Sequence, residues 1–231
     1  MEVSATALII LRSVAEQISY RVRRVPRARR VKVRVDPQRG VEVLLPPRTP
    51  LRVAGEAVAE LSPWIEGELE RLRAARERHA VAGTLPYLDE RLRLLAEPGR
   101  RRAHRRGDTL LVPAGAGAAA AIEAWYRRAA RAEISRLLDE ASALAGTPYR
   151  GLTIRNQRTR WASCARGGAM SFNWRLLLAP ARVLDYVVWH EVCHLRHADH
   201  SPAFWALVEQ RCPDWRARAQ WLHDNGSALF L

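Results

Sequence analysis

The alternation of apolar and polar positions divides this chain into a strand-rich front and a helix-rich back. From Arg21 to Arg34 the arginines are interleaved with Val22, Val25, Val31, Val33 and Val35. That period of two predicts strands with one solvated face. Asp36-Pro37-Gln38-Arg39-Gly40 reads as a hairpin turn between Arg30 to Val35 and Val41 to Leu45. Two helical stretches are expected next, about Pro50 to Leu61 and Pro63 to His79. Leu85 to Ala96 and Thr109 to Val112 then read as a second hairpin around the basic cluster Arg100 to Arg106. Ala114-Gly115-Ala116-Gly117-Ala118 lacks the lysine and spacing of a phosphate loop and reads as a flexible linker. Beyond it come one long helix, Ala119 to Leu144, and strands near Leu152 to Arg155 and Ala169 to Leu177. No internal repeat is visible, so the expected division is 1–113, a linker at 114–118, and 119–231.

The next helix changes the picture from architecture to chemistry. Ala181 to His197 runs without Gly or Pro just after Pro180, with Val183, Leu184, Val187, Val188, Val192 and Leu195 as its apolar face. Within it stands His190-Glu191-Val192-Cys193-His194. Four residues advance about 6 Å along a helix and return to nearly the same face, so His190 and His194 can reach one ion. Glu191 then lies alongside as the general base of metal-assisted hydrolysis. A largely buried helix carrying two histidines and a glutamate without a shared partner would be costly, and a metal removes that cost. Cys193 points away from the ligand face and reads as core.

A catalytic zinc takes three protein ligands. His197 and His200 are the candidates for the third. His197 stands seven residues from His190, about 10 Å along a straight helix, too far to converge on bonds of about 2 Å. His200 follows a break at Ala198-Asp199, and Ser201-Pro202 reads as an N-cap and N1 pair opening a helix from Ala203 to Arg211, so the chain turns where a ligand can swing back. Asp199 reads as an exposed turn residue.

The strand before the zinc helix alternates Met170, Phe172, Trp174 and Leu176 with Ser171, Asn173 and Arg175. If it forms the rim above the metal, its free edge can pair with an extended peptide; otherwise it is an interior strand with no substrate role. Asn173, Arg175 and Trp161 are the candidate substrate-binding residues. Arg158, Arg160 and Arg175 are the candidates for stabilising an oxyanion.

These residues carry a resemblance. Trp161-Ala162-Ser163-Cys164, Phe172-Asn173-Trp174-Arg175-Leu176, Asp185-Tyr186-Val187-Val188, the His190 to His194 run and His200-Ser201-Pro202-Ala203-Phe204-Trp205 resemble the YgjP-like metallopeptidases, relatives of the SprT-like and WLM zincins. The resemblance covers about residues 20 to 225. It implies an α+β zincin-like fold with a β-rich N-terminal region, zinc on His190, His194 and His200, and Glu191 as the catalytic glutamate. Ala162 departs from the usual glycine, which touches the loop rather than the metal site.

Composition adds bounds. With 48% hydrophobic residues and eight tryptophans, the chain can bury a sizeable core. There is no stretch of about twenty apolar residues, and Ala5 to Leu11 is too short to span a membrane. Glu2 without a preceding basic cluster makes a poor secretory start. Three cysteines give no disulfide framework, and the expected location is the cytoplasm. The net charge of +14 sits mainly in front, with 23 basic and 14 acidic groups in residues 1–110. Three readings follow. The first is a zinc-dependent peptidase acting on peptide or protein substrates. The second is a metal-dependent phosphoanhydride hydrolase acting on nucleotides. The third is a non-enzymatic nucleic-acid-binding module using the basic front.

Overall fold

A computed structural model describes residues 9–12, 18–36, 39–79, 82–157 and 160–231. The chain forms two compact units, Met1–Glu77 and Arg78–Leu231.

In the first unit, strands β1 (Ile9–Arg12), β2 (Ser19–Arg24), β3 (Lys32–Asp36) and β4 (Gly40–Leu45) make a sheet of order β1-β2-β4-β3. Helices α1 (Arg52–Glu60) and α2 (Ser62–His79) follow. Alternation does the sorting here: Tyr20 and Val22 with Val41, Val43 and Leu45 meet Ala54, Val58 and Ile65 in one core. The expected hairpin forms between β3 and β4, with Gly40 at φ 73° and the Arg39 N–H donating to Asp36 Oδ1. Pro37 and Gln38 lie outside the described residues. The arginine-valine run is not one pairing unit, because β2 stops at Arg24, the chain turns through 25–31, and β2 lies parallel to β4.

The second unit opens with β5 (Thr84–Tyr87), β6 (Glu90–Glu97), β7 (His104–Arg106) and β8 (Thr109–Pro113), in the order β5-β6-β8-β7. The expected hairpin of Leu85 to Ala96 with Thr109 to Val112 is corrected on two counts. Leu88, at φ 54°, breaks the first segment into its own hairpin, and β6 runs parallel to β8. Both sheets therefore share one strand order and one set of directions, a repeat of topology that the sequence hides.

Residues 114–118 do not separate domains. A 3-10 turn at Gly115–Gly117 feeds directly into α3 (Ala118–Ala145), whose Ile122, Tyr126, Ala130, Ile134 and Leu138 recur every fourth residue on one buried face. Leu92, Leu110 and Val112 share that core, so the boundary falls before β5. Gly146 ends α3 in the left-handed conformation, φ 63°.

Then come β9 (Gly151–Arg155), β10 (Ala162–Cys164) and β11 (Ala169–Asn173), in the order β10-β11-β9, with β11 parallel to β9 and antiparallel to β10. The expected strand Ala169 to Leu177 is shorter, since Trp174–Leu178 coils into a 3-10 turn. It is also the central strand. Among the described residues the sheet's edges are β10 and β9. Helices α4 (Ala181–Cys193), α5 (Pro202–Arg211) and α6 (Trp215–Asn225) complete the unit. Among the described residues no helix is long and apolar enough to cross a membrane.

Candidate metal centre

Helix α4 packs Val183, Leu184, Val187, Val188 and Val192 into the main core, which fixes the opposite rotation of His190 and His194. The helix ends at Cys193, four residues earlier than the apolar pattern predicts. The last turn tightens, with the Leu195 N–H on Val192 O and the Arg196 N–H on Cys193 O. This shortening has a use: the His197 carbonyl folds back to 2.9 Å from His194 Nδ1. Nδ1 of His194 is thereby the protonated nitrogen, and Nε2 is left with its lone pair.

The chain then reverses, and the segment leading into α5 delivers His200. Its Nε2 lies 3.1 Å from His190 Nε2, and ligand nitrogens of His190, His194 and His200 lie within 4.8 Å of one another. Nitrogens bound about 2.0–2.1 Å from one tetrahedral ion sit about 3.4 Å apart, so the three imidazoles fit a single divalent metal. Their protonation also fits. Burial, with His194 and His200 nearby, pushes His190 down to about 3, and burial lowers His194 too, so both stay neutral as a metal requires. His197 contributes its carbonyl rather than its ring.

Two residues without a sequence-assigned role hold this cluster. Phe204 is fully buried, stacks on His194 at 4.5 Å, and meets His190 and His200 edge-on at 4.9 Å each. Trp205 stacks on His200 at 5.5 Å and on Trp215 at 4.2 Å. Their place three and four positions after Ser201, on the first turns of the helix that follows the third histidine, was the available signal.

Glu191 is 6% exposed, and its Oε2 has no hydrogen-bond partner among the described residues. Burial raises its carboxyl to about 7, against the Cys164 N–H, which donates to it, and the charge of Arg160. Glu191, His190, His194 and His200 line one groove of about 360 Å³ with Ala162, Ser163 and Cys164 of β10, Ala165, Arg166 and Ala198.

Asn173, Arg175 and Trp161 are not among these lining residues. Asn173 is buried; its Oδ1 accepts from the Arg175 N–H and its Nδ2 donates to Gln157 O. Arg175 is buried with its guanidinium over the Phe230 and Trp174 rings. Trp161 packs on Gly226, where an added Cβ would stand 2.9 Å from Cζ2. Asn173 ends β11, Arg175 lies in the turn after it, and the Trp161 O accepts the Asn173 N–H, so the three are joined to the scaffold rather than to the groove. Arg158 lies outside the described residues, while Arg160 is exposed and acts on Glu191 through its charge. Cys193 is core as expected, its thiol pushed up by burial to about 11. Asp199 accepts the Ser201 N–H and serves the turn.

The model of the YgjP-like metallopeptidase domain matches residues 29–225. The chain belongs to the YgjP-like metallopeptidase family. It carries a metal-dependent peptidase domain, and the three-histidine group is where a divalent metal fits. Among solved structures it is similar to the metallopeptidase zymogen abylysin of Pyrococcus abyssi, at 23% identity and a TM-score of 0.34, over 38% of this chain and 91% of that one. No curated protein matches.

Proposed function

We propose that this YgjP-like metallopeptidase hydrolyses peptide bonds with one zinc ion held by His190, His194 and His200, and with Glu191 as general base and then general acid. The observation that carries the reading is the shared groove: three convergent imidazoles and a buried glutamate open beneath an unpaired strand edge. Three imidazole ligands are the number used by catalytic zinc, four ligands the number used by structural zinc. When bound, zinc polarises a carbonyl and lowers the pKa of water.

The remaining steps belong to the chain. The backbone of β10 pairs with an extended peptide as an added strand, and the groove beside it takes the scissile bond. Glu191 Oε2, free of other partners, takes the proton of the attacking water. The Cys164 N–H keeps the other side of the carboxylate turned towards β10. Having accepted that proton, Glu191 can release it to the leaving amine.

The test is incubation of zinc-loaded protein with a mixed peptide library and a nucleotide panel, with Glu191→Gln alongside. Peptides are cleaved, nucleotides are not, and the zinc-loaded variant loses cleavage by about 100-fold or more. Nucleotide hydrolysis without peptide cleavage would replace this reading by the phosphoanhydride one.

A further inference from the structure

The first unit has its own unexplained feature, independent of the peptidase reading. Residues 21–34 hold seven arginines and Lys32 with no acidic residue between them. The fold sorts seven of these eight cations, all but Arg21, into two groups. Arg23 and Arg34 are bound to the buried Glu42, and Arg24 is spent on the carbonyls of Pro46, Pro47 and Thr49. Arg27, Arg29, Arg30 and Lys32 are exposed and have no hydrogen bond or ion pair among the described residues. These four surround one hollow of about 490 Å³ whose other lining residues are Val25, Ala28 and Leu44.

The hollow is held in shape rather than left to the side chains. The Val25 N–H donates to Leu45 O, the Ala28 N–H to Val25 O, and Lys32 stands opposite Leu44 in the β3–β4 register. Four like charges fixed around one concavity repel one another, and only an anionic ligand turns that arrangement into attraction. We infer that the hollow bounded by Arg27, Arg29, Arg30 and Lys32 is a binding site for the phosphodiester backbone of a nucleic acid.

The chemistry favours a polymer over other anions. Separate exposed cations around an open rim match a row of phosphates, whereas a single nucleotide's phosphates call for a converging, buried donor set that this lining lacks. A bilayer would need large apolar side chains to enter it, and none of the exposed ones, Leu61 and Trp64 in this unit, lines the hollow. The lining contains no aromatic ring for base stacking, so binding is blind to base identity.

The experiment is fluorescence anisotropy of the full chain with a labelled oligodeoxythymidine of about 20 nucleotides, between about 50 and 200 mM salt. The triple variant Arg27→Gln, Arg29→Gln, Arg30→Gln is compared with Arg101→Gln, Arg102→Gln, Arg106→Gln, which removes the same charge from the basic region of the second sheet. The first triple loses about tenfold or more in affinity, and its slope of log K against log salt flattens by about 2, at about 0.7 per contact on a single strand. The second triple stays within about twofold. Arg27→Lys, Arg29→Lys, Arg30→Lys keeps the charge and keeps the slope, which guards against a loss caused by misfolding. An oligodeoxyadenosine of equal length binds comparably. Equal losses in the two glutamine triples would overturn the site in favour of diffuse net charge. Competition by a nucleoside triphosphate at equal concentration, or tighter binding to phosphatidylglycerol vesicles that the oligonucleotide does not displace, would overturn the nucleic-acid assignment.

Discussion

Glu42 and Glu191 are both buried, at 2% and 6% exposure, yet they live in opposite surroundings. In the first unit Glu42 is clamped by Arg34 and Arg23. Burial alone would raise its carboxyl, but the hydrogen bonds and charges of the two arginines outweigh it and hold the group below its ordinary value. In the second unit Glu191 has one backbone N–H, one free oxygen and a carboxyl raised to about 7. A fold can bury a carboxylate to bind strands together, and it then supplies every partner. When it leaves the partner out, the group is kept for something that is not part of the chain.

The sharpest break in that comparison is a pair of isosteric changes. Glu191→Gln lowers peptide turnover by about 100-fold or more and leaves the melting temperature close to wild type. Glu42→Gln leaves turnover unchanged, because its partners are Arg23 and Arg34 rather than anything in the groove. A crossed result, with activity lost at Glu42 and kept at Glu191, would dissolve the distinction.

Metal affinity comes next. His200→Ala weakens zinc binding by more than the about 10 to 100-fold typical of a lost outer partner, because it removes a ligand. His197→Ala stays below that range, since the bond to His194 comes from the main-chain oxygen. Competitive chelator titration measures both, and a weaker His197→Ala would mean that the helix bends to present that ring instead.

The stability side is smaller. Glu42→Gln costs about 1–3 kcal/mol at neutral pH by denaturant unfolding, less than a fully buried pair because both arginine side chains are 37% exposed. A carboxyl lowered in the folded state contributes fully above its unfolded value, about 4.3, and loses that contribution as pH falls through the folded one. The wild type's advantage over Glu42→Gln is therefore flat from pH 7 to about 5 and shrinks below about 4. An advantage that grew on acidification would reverse the sign of the assignment. Smaller in scope is Gly226→Ala, which presses a Cβ to 2.9 Å from Trp161 and costs about 1–3 kcal/mol without changing zinc stoichiometry. A variant as stable as wild type would mean that Trp161 is free to move.

The sequence made the metal helix legible because its signal is local: the spacing of His190, Glu191 and His194 is itself the geometry. His200 was legible for a related reason, since the break before Ser201-Pro202 shows the chain turning. The parallel pairings β2 with β4 and β6 with β8 were hidden, because alternation tells which side a residue faces and not which strand lies beside it. The same blindness left β11 open as either rim or interior strand, and hid β10 at the groove: three residues, Ala162–Cys164, are too short to register as a periodic pattern. Asn173 at the end of β11 and Arg175 in the turn after it carried polar chemistry, but their partners, Gln157 O and the Phe230 ring, are distant in sequence and left no trace in it. The boundary before β5 was invisible for a similar reason, as Leu92 and Leu110 join α3 only in three dimensions.

The central claim is that three imidazoles form one metal site, and elemental analysis of the purified, zinc-supplemented chain tests it most directly. Wild type is expected to hold about one zinc per chain, and a His190→Ala, His194→Ala variant with intact fold less than about a tenth of that. A wild-type chain that is folded, supplemented and still below about a tenth of an equivalent would contradict the account at its root.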